Sequence, residues 1–297
     1  MTTDQAPTTS TARVEAPAVS IVVPTLNEAR NLPHILLRLP ADAEVVLVDG
    51  HSTDGTVDVA RSLRPDIVVV CQTRRGKGNA LACGFAAATG DIIVMLDADG
   101  SADPTEIADF VHVLRSGADF AKGSRFLPGG GSSDITPLRR TGNLALSGLV
   151  NGLLRSRYSD LCYGYNAFWR HVLPALDVEP GAPGTPGQWG DGFEIETLIT
   201  MRVAHAGLRV VEVPSFEHPR IHGTSNLNAA SDGLRVLRTI MVEWGRRSGT
   251  PRPRTDVTLP APRPRRPWTA SHGGARIPAP RHTPSYGWAA RSGLGRA

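Results

Sequence analysis

"DIIVMLDADGSADP", Asp91 to Pro104, decides the fold: an unbroken apolar run, Ile92 to Leu96, opens onto two aspartates one residue apart. Runs that are apolar at every position, rather than at alternate ones, suit strands buried on both faces. Three more stand upstream, "SIVVP" (20–24), "EVVLVD" (44–49) and "DIVVVC" (66–71), each bounded by polar turns. Helix-like segments lie between them: "EARNLPHILLRL", "TVDVARSL" and "GNALACGFAAA". Strand–helix–strand alternation predicts an α/β fold, with right-handed crossovers, a mostly parallel central sheet and helices on both faces. "PTEIADFVHVLRSG" places Pro104 just inside a helix start with Asp103 as its cap. "DFAKGSR" follows as a fifth strand.

The second half is less regular. "LRRTGNLALSGLVNGLL" reads as an amphipathic helix, and "FEIETLITMRVAHAGL" as another that closes on Gly207. "RVVEVP" reads as a strand and "NAASDGLRVLRTIMVEWGRR" as a final helix. Residues 1–17 are rich in Thr, Ala and Pro, and the tail from 248 to 297 is rich in Pro and Arg without hydrophobic periodicity. Both are expected to be disordered. One domain, 18–247, lies between them.

The chain has 297 residues and a net charge of +4, unevenly spread. From Pro251 onward there are nine arginines, one aspartate, no lysine and no glutamate, so the tail carries +8 and residues 1–250 carry −4. An acidic body argues against nucleic-acid binding. Three scattered cysteines, Cys71, Cys83 and Cys162, make neither a disulfide framework nor a zinc site, which points to a reducing, cytoplasmic compartment. No signal peptide is read at the N-terminus. No apolar run approaches the ~20 residues that span a bilayer. Any membrane contact is therefore expected to be peripheral, at the inner face. The tail arginines, with Trp268 and Trp288, suit loose attraction to anionic headgroups; a solvated tail is the plain alternative.

In open parallel sheets, ligands bind beyond the C-terminal strand ends. There the sequence places "PTLNEARN" (Asn27, Glu28), "DGHSTDGT" (Asp49, Asp54), "QTRRGKGNA" (Arg75, Lys77) and "DADGS" (Asp97, Asp99). Each has a plainer reading alone: a helix cap, an Asp-Gly turn, a solvated basic loop. The basic loop is not a Walker A motif, since Cys71 stands where the first Gly is required and Gly78 where Ser or Thr is. No G-x-G-x-x-G follows the first strand, which argues against a dinucleotide oxidoreductase. Together the pieces ask for a phosphorylated ligand and a cation. Mg²⁺ or Mn²⁺ takes hard oxygen ligands, often one or two carboxylates plus substrate phosphates, and Asp97 and Asp99 can both reach such an ion.

"SIVVPTLNEARNL", "VDGHSTDGT", "GKGNA", "MLDADGS" and "KGSRF" occur in the order seen in family 2 glycosyltransferases, and the chain resembles that family over roughly residues 18–245. "GYNAFWR", "FEIETLITMRVAHAGLRVVEVP" and "HGTSN" are similar to its dolichol- and polyprenyl-phosphate mannosyltransferase-like branch. The resemblance implies the Rossmann-like GT-A fold and metal-dependent, inverting transfer from a GDP- or UDP-linked sugar to a polyprenyl phosphate. It implies that Pro24, Leu26, Glu28, Asp49 and Asp54 border the nucleotide, that Lys77 approaches the diphosphate, and that Asp97 and Asp99 bind the metal. Arg125 would face the sugar-phosphate centre, and Glu196 matches a carboxylate position of the family's helix. Arg140 and Arg220 would hold the lipid phosphate. This chain departs from the pattern at Ser101, where the branch often has Gln, and at Gly50 and His51, where it has an acid and a glycine.

A lipid phosphate is already an oxyanion, whereas an alcohol acceptor needs a base. Asp191 is then the first candidate and Glu194 the second; for both, a carboxylate at a helix start is the plain alternative. His222 of "RIHGTSN" is a candidate to touch the metal or close over the donor. The nearest rival function is transfer to a soluble alcohol or secondary metabolite on the same fold. A nucleotidyltransferase is disfavoured because "PTLNEARN" lacks glycine. A non-catalytic nucleotide-sugar binder would not need "GSRF" and "FEIE".

Overall fold

The computed structural model describes residues 16–223 and 229–246. The expected N-terminal and Pro/Arg-rich segments, the tail tryptophans and the Thr224–Asn226 part of "HGTSN" lie outside the described residues.

The strands are β1 (Val19–Thr25), β2 (Glu44–Asp49), β3 (Val68–Cys71), β4 (Ile92–Met95), β5 (Phe120–Ser124), β6 (Gly131–Ser132), β7 (Asn166–Trp169), β8 (Val210–Pro214) and β9 (Phe216–Glu217). The helices are α1 (Leu32–Leu36), α2 (Thr56–Leu63), α3 (Lys77–Ala87), α4 (Ile107–Arg115), α5 (Pro137–Leu154), α6 (Leu173–Leu176), α7 (Ile195–His205) and α8 (Ala229–Gly245). Seven strands form one sheet in the order β3-β2-β1-β4-β7-β5-β8, and β6 pairs with β9 in a small second one. β1 to β4 are mutually parallel where they pair, as are β5 and β8, and β7 runs antiparallel between β4 and β5.

The continuous apolar runs have a simple cause. Successive side chains of a strand point to opposite faces, so burial of both faces makes every position apolar. Ile21, Val23, Val45, Leu47 and Val94 join one core with Leu32, Ile35, Phe110 and Leu114 of α1 and α4. Their neighbours Val22, Val46, Val48, Ile93 and Met95 join the opposite core with Leu81 and Phe85 of α3 and Leu198 and Ile199 of α7. Gly84 lets α3 come this close: a Cβ there would lie 2.2 Å from Val22 Cγ1. A third cluster joins Val150 of α5, Met201 of α7 and Ile240 of α8.

β6, α6 and β9 are short elements absent from the sequence reading, and two others, α1 and β7, differ from it for a clear reason. α1 is confined to Leu32–Leu36, because Glu28 to Asn31 form a turn in which Asn31 N and Leu32 N both donate to Glu28 O, and Pro33 sits at the helix start. β7 was not read as a strand. Four residues beginning with a polar Asn carry no countable periodicity, and the strand is set by long-range contacts. Phe168 pairs across the ladder with Phe120, their rings 5.6 Å apart and 2° from parallel, and Phe85 meets Phe168 edge-on. Elsewhere the expected cap is present: Asp103 accepts from Thr105 N at the turn that leads into α4.

Candidate active site

The parallel strands bring their C-terminal ends to one edge. Leu96 N donates to Val22 O, carrying β4 one residue past its ladder. Side-chain alternation then continues: Leu96 and Ala98 are buried in the core, while Asp97 and Asp99 line a cavity of about 590 Å³. Gly100 follows at φ +80°, and a Cβ there would meet Ile221 at 2.4 Å. That turn admits the 218–221 segment, whose His218 N and Ile221 N donate to Ser101 O and Asp99 O.

Lys77 enters the same cavity from the start of α3. Its ammonium lies 2.7 Å from Asp97 Oδ1 and 2.7 Å from Glu196 Oε1 on α7. The flanking glycines of "GKG" explain how it is aimed. A Cβ at Gly76 would stand 2.1 Å from Asp191 O, and one at Gly78 1.7 Å from Gly190 O. The 190–192 backbone lies directly on the helix start, and Gly78 N donates to Asp191 O at 2.7 Å. Burial works against the Lys77 charge, but Asp97 and Glu196 outweigh it and raise the lysine pKa. Burial raises the Glu196 pKa, with the Lys77 charge opposing and Asp97 adding to the rise.

Arg125, just past β5, also lines the cavity and is fully engaged. Its Nε and Nη2 donate to the two oxygens of Asp160 at 2.7 and 3.0 Å, and Nη1 donates to Glu217 at 3.0 Å. Its guanidinium stacks 4.8 Å from the Tyr163 ring. Asp160 is fully buried; burial pushes its pKa up, but the Arg125 hydrogen bonds and charge prevail and lower it.

The first loops form a clamp beside this cavity. Asp54 accepts from Ala29 N and from Thr56 N and Oγ1, so it joins the loop after β1 to the start of α2. Asn27 (φ 56°) accepts from Thr53 N at its side-chain oxygen and donates its own backbone N–H to Ser52 Oγ. His51, at φ 66°, occupies the left-handed conformation that favours glycine. Asp49 Oδ2 accepts from Ser52 N, while its buried Oδ1 has no hydrogen-bond partner among the described residues. Pro24 is half-buried and Leu26 exposed at the same strand exit.

The expected acceptor arginines are separated. Arg220 bridges Glu28 Oε1 at 3.0 Å and Asp99 Oδ2 at 3.1 Å, which sets it on the carboxylate side of the cavity. Burial raises the Glu28 pKa against the Asn31 hydrogen bond and the Arg220 charge. Arg140 does not line the cavity; it lies exposed on α5, 5.5 Å from the Phe126 ring. The α5 residues that do are Leu138, Arg139, Gly142, Asn143 and Leu146. Sequence reading missed Arg139, although helical phase through Asn143 and Leu146 points to it. Asn143 Oδ1 accepts from Cys162 N at 3.0 Å, and its buried Nδ2 has no partner among the described residues.

The candidate bases are corrected in the same way. Arg74 holds both Asp191 oxygens, Nε at 2.8 Å and Nη2 at 2.7 Å, and Gln188 N donates to the same carboxylate. Glu194 accepts from Gly190 N and Gly192 N at 3.2 Å each. Neither lines the cavity, whereas Glu196 does. Both carboxylates are engaged by backbone N–H groups of the 188–194 loop. His222 has its ring 5.8 Å from His34 and its carbonyl on Asn31 Nδ2, so it packs toward α1.

Two carboxylates on one strand exit, facing one cavity, are the donor set a hard dication takes when substrate phosphates complete its shell. Among the described residues no group of three or more His, Cys, Asp or Glu side chains is set to hold a metal alone. Ser101 lines the cavity beside the pair, with its N–H on Asp99 Oδ1. Asp97 and Asp99 thus fit Mg²⁺ or Mn²⁺ bound together with a ligand.

The model of glycosyl transferase family 2 matches residues 20–175. The polyprenol monophosphomannose synthase of Mycolicibacterium smegmatis is 33% identical over 249 residues, covering 79% of this chain and 89% of that protein. The undecaprenyl-phosphate mannosyltransferase of Micrococcus luteus is 31% identical over 237 residues, covering 76% and 93%. Among solved structures, glucosyl-3-phosphoglycerate synthase from Mycobacterium tuberculosis, in complex with Mn²⁺, UDP-glucose and phosphoglyceric acid, superposes with a TM-score of 0.60. It is 21% identical and covers 77% of this chain and 80% of that one, a likeness of fold.

Proposed function

The chain belongs to glycosyl transferase family 2, and from that premise we propose that it transfers a sugar, with inversion, from a nucleoside diphosphate to a polyprenyl phosphate. The observation that carries the reading is one cavity lined both by carboxylates and by apolar side chains. Asp97, Asp99, Lys77 and Glu196 line it, and so do Ile135, Leu138, Leu146 and Val236. Arg125, Arg139 and Asn143 line the same space. A small hydroxylated acceptor has no use for such apolar lining, whereas a prenyl chain does. Two relatives carry polyprenol or undecaprenyl phosphate in their names, which supports the same acceptor class.

The roles follow from the atoms. Pro24, Leu26, Glu28, Asp49 and Asp54 border the nucleotide, and the unpartnered Asp49 oxygen offers an acceptor to a base N–H. Asp97 and Asp99 would hold Mg²⁺ or Mn²⁺, which when bound neutralises charge on a departing diphosphate. Lys77, held charged, is placed to exchange its carboxylate contacts for the donor's phosphate oxygens. The acceptor phosphate, ionised at neutral pH, needs no base. Its oxygen forms the bond to the anomeric carbon while the bond from that carbon to the donor diphosphate breaks and the electron pair leaves with the nucleoside diphosphate.

Arg139 and the free N–H of Asn143, one helical turn apart, are suited to orient the acceptor phosphate. Arg125, fixed by Asp160 and Glu217, supplies positive potential without moving. Arg220 ties Glu28 to Asp99 and orders these carboxylates.

A radiolabelled-sugar transfer assay tests the reading. GDP- and UDP-linked sugars are offered with polyprenyl phosphate or with small alcohols, with and without a chelator. Label in a lipid product, lost on chelation, is expected. Label only in a small alcohol overturns the acceptor, and turnover indifferent to chelation overturns the metal.

A further inference from the structure

We propose that the outward faces of α5 and α8 form a docking surface for an anionic lipid bilayer, with the cavity opening beside it. Thirteen large apolar side chains are exposed among the described residues, and eight of them lie on these two helices. α5 contributes Leu138, Leu144 and Leu149; α8 contributes Leu234, Leu237, Met241, Val242 and Trp244. Leu138 and Leu234 are 71% and 70% exposed. The inner faces are already satisfied, since Leu146 and Val150 of α5 and Val236 and Ile240 of α8 pack in the third core cluster. Exposed apolar side chains gathered on amphipathic helices mark an interaction surface.

Charge identifies the partner. α5 contains no acidic residue. On the described part of α8, Glu243 is buried against Arg202 and Asp232 is half-buried against Arg235. Asp134, ahead of α5, faces Arg139 at 3.6 Å. The exposed charges on or beside the two helices are Arg140, Arg155, Arg157, Arg235, Arg238 and Arg246, together with Asp134. Apolar side chains bordered mainly by arginine match an anionic headgroup layer over acyl chains. A protein partner of mixed charge would leave that border unanswered.

Position supports the same partner. The first two turns of both helices, through Leu138, Arg139 and Gly142 on one and Gly233 and Val236 on the other, line the cavity. A bilayer seated on this face delivers a headgroup to that mouth from the plane of the membrane. This last point rests on the reading of a polyprenyl-phosphate acceptor; the docking surface does not. No helix among the described residues is long and apolar enough to cross a membrane, so contact through these faces is interfacial.

The test uses the full chain and vesicles of phosphatidylcholine, with or without phosphatidylglycerol, free of any prenol. Wild-type protein is expected to sediment with the anionic vesicles, less with neutral ones, and less in high salt. Leu237→Glu with Met241→Glu, and separately Leu144→Glu with Leu149→Glu, is expected to lower the bound fraction roughly tenfold with unchanged thermal melting. Failure of wild type to sediment overturns the proposal, as does wild-type binding by both variants, which would place docking elsewhere in the chain. Light scattering that shows a wild-type dimer and monomeric variants, with vesicle binding unaltered, assigns the face to a second copy and also overturns it. Transfer to detergent-dispersed polyprenyl phosphate is read in parallel and is expected to survive in the variants. Its absence in every protein, with vesicle binding as described, counts against the acceptor reading and leaves the surface standing.

Discussion

Lys77 and Glu196, on helices far apart in sequence, meet at 2.7 Å in the lining of the cavity. The contact ties α3 to α7 and sets the ammonium beside Asp97. Lys77→Met removes the cation aimed at the leaving diphosphate, for which a loss of about 10²–10³ in kcat is expected. It also leaves the buried Glu196 carboxylate unpaired. Glu196→Gln in the same background relieves that charge. Chemical denaturation should therefore find the double variant more stable than Lys77→Met alone, while turnover stays low in both.

Asp97 and Asp99 differ in their surroundings but share one predicted loss. Asp97 is paired with the fully engaged Lys77, whereas Asp99 is bridged by Arg220 and by the N–H of Ser101. Either residue changed to Asn should abolish the stabilisation that Mn²⁺ gives together with a nucleoside diphosphate. In wild type that stabilisation is about 2.7 kcal/mol at a hundredfold excess over Kd. Thermal melting with nucleotide and metal, each alone and together, reads this out. A full shift in Asp99→Asn would remove the carboxylate from the metal's shell.

Some of this arrangement was legible in the sequence. Four apolar runs identified the parallel half, because burial on both faces leaves a local signature. Polar residues at their exits marked the edge where Asp49, Lys77, Asp97 and Asp99 stand. What stayed hidden depends on contacts distant in sequence. β7 is defined by Phe168 against Phe120, and Arg125 is fixed by Asp160 and Glu217, pairings with no local pattern. Arg139 was within reach, since its helical phase with Asn143 and Leu146 chooses it over Arg140. His51 stands where the resembled pattern has glycine, and its φ of 66° is a conformation that glycine adopts without strain.

Asp160 predicts how the protein fails in acid. Its folded pKa lies below the ordinary aspartate value because Arg125 holds both oxygens, despite complete burial. The sign follows: the stabilising contribution is full above the unfolded pKa of about 3.9 and is lost as pH falls through the lower folded value. Asp160→Asn should cost about 3–5 kcal/mol near neutrality by leaving Arg125 half-paired. It should also flatten the fall in stability below the unfolded pKa. Urea denaturation of both proteins across that acid range checks the slope, and parallel curves would refute the assignment.

Arg74 and Asp191 allow a positioning role to be told apart from a catalytic one. Asp191 spends both oxygens on Arg74 and one also on Gln188 N, while its backbone carbonyl receives Gly78 N at the start of α3. Loss of the side chain should loosen the 188–194 loop and, through Gly76 and Gly78, blur the aim of Lys77. A proton acceptor in the reaction would give a different result: its removal would depress kcat and erase the matching limb of the pH–rate profile. Asp191→Asn keeps one hydrogen bond to Arg74, so it should retain measurable kcat with a wild-type pH profile. Arg74→Met should reproduce the Asp191→Ala defect, and the double variant should be no worse than either single one, with a coupling of about 0.5–3 kcal/mol. Additive losses, or a missing limb in Asp191→Asn alone, would return Asp191 to the reacting centre.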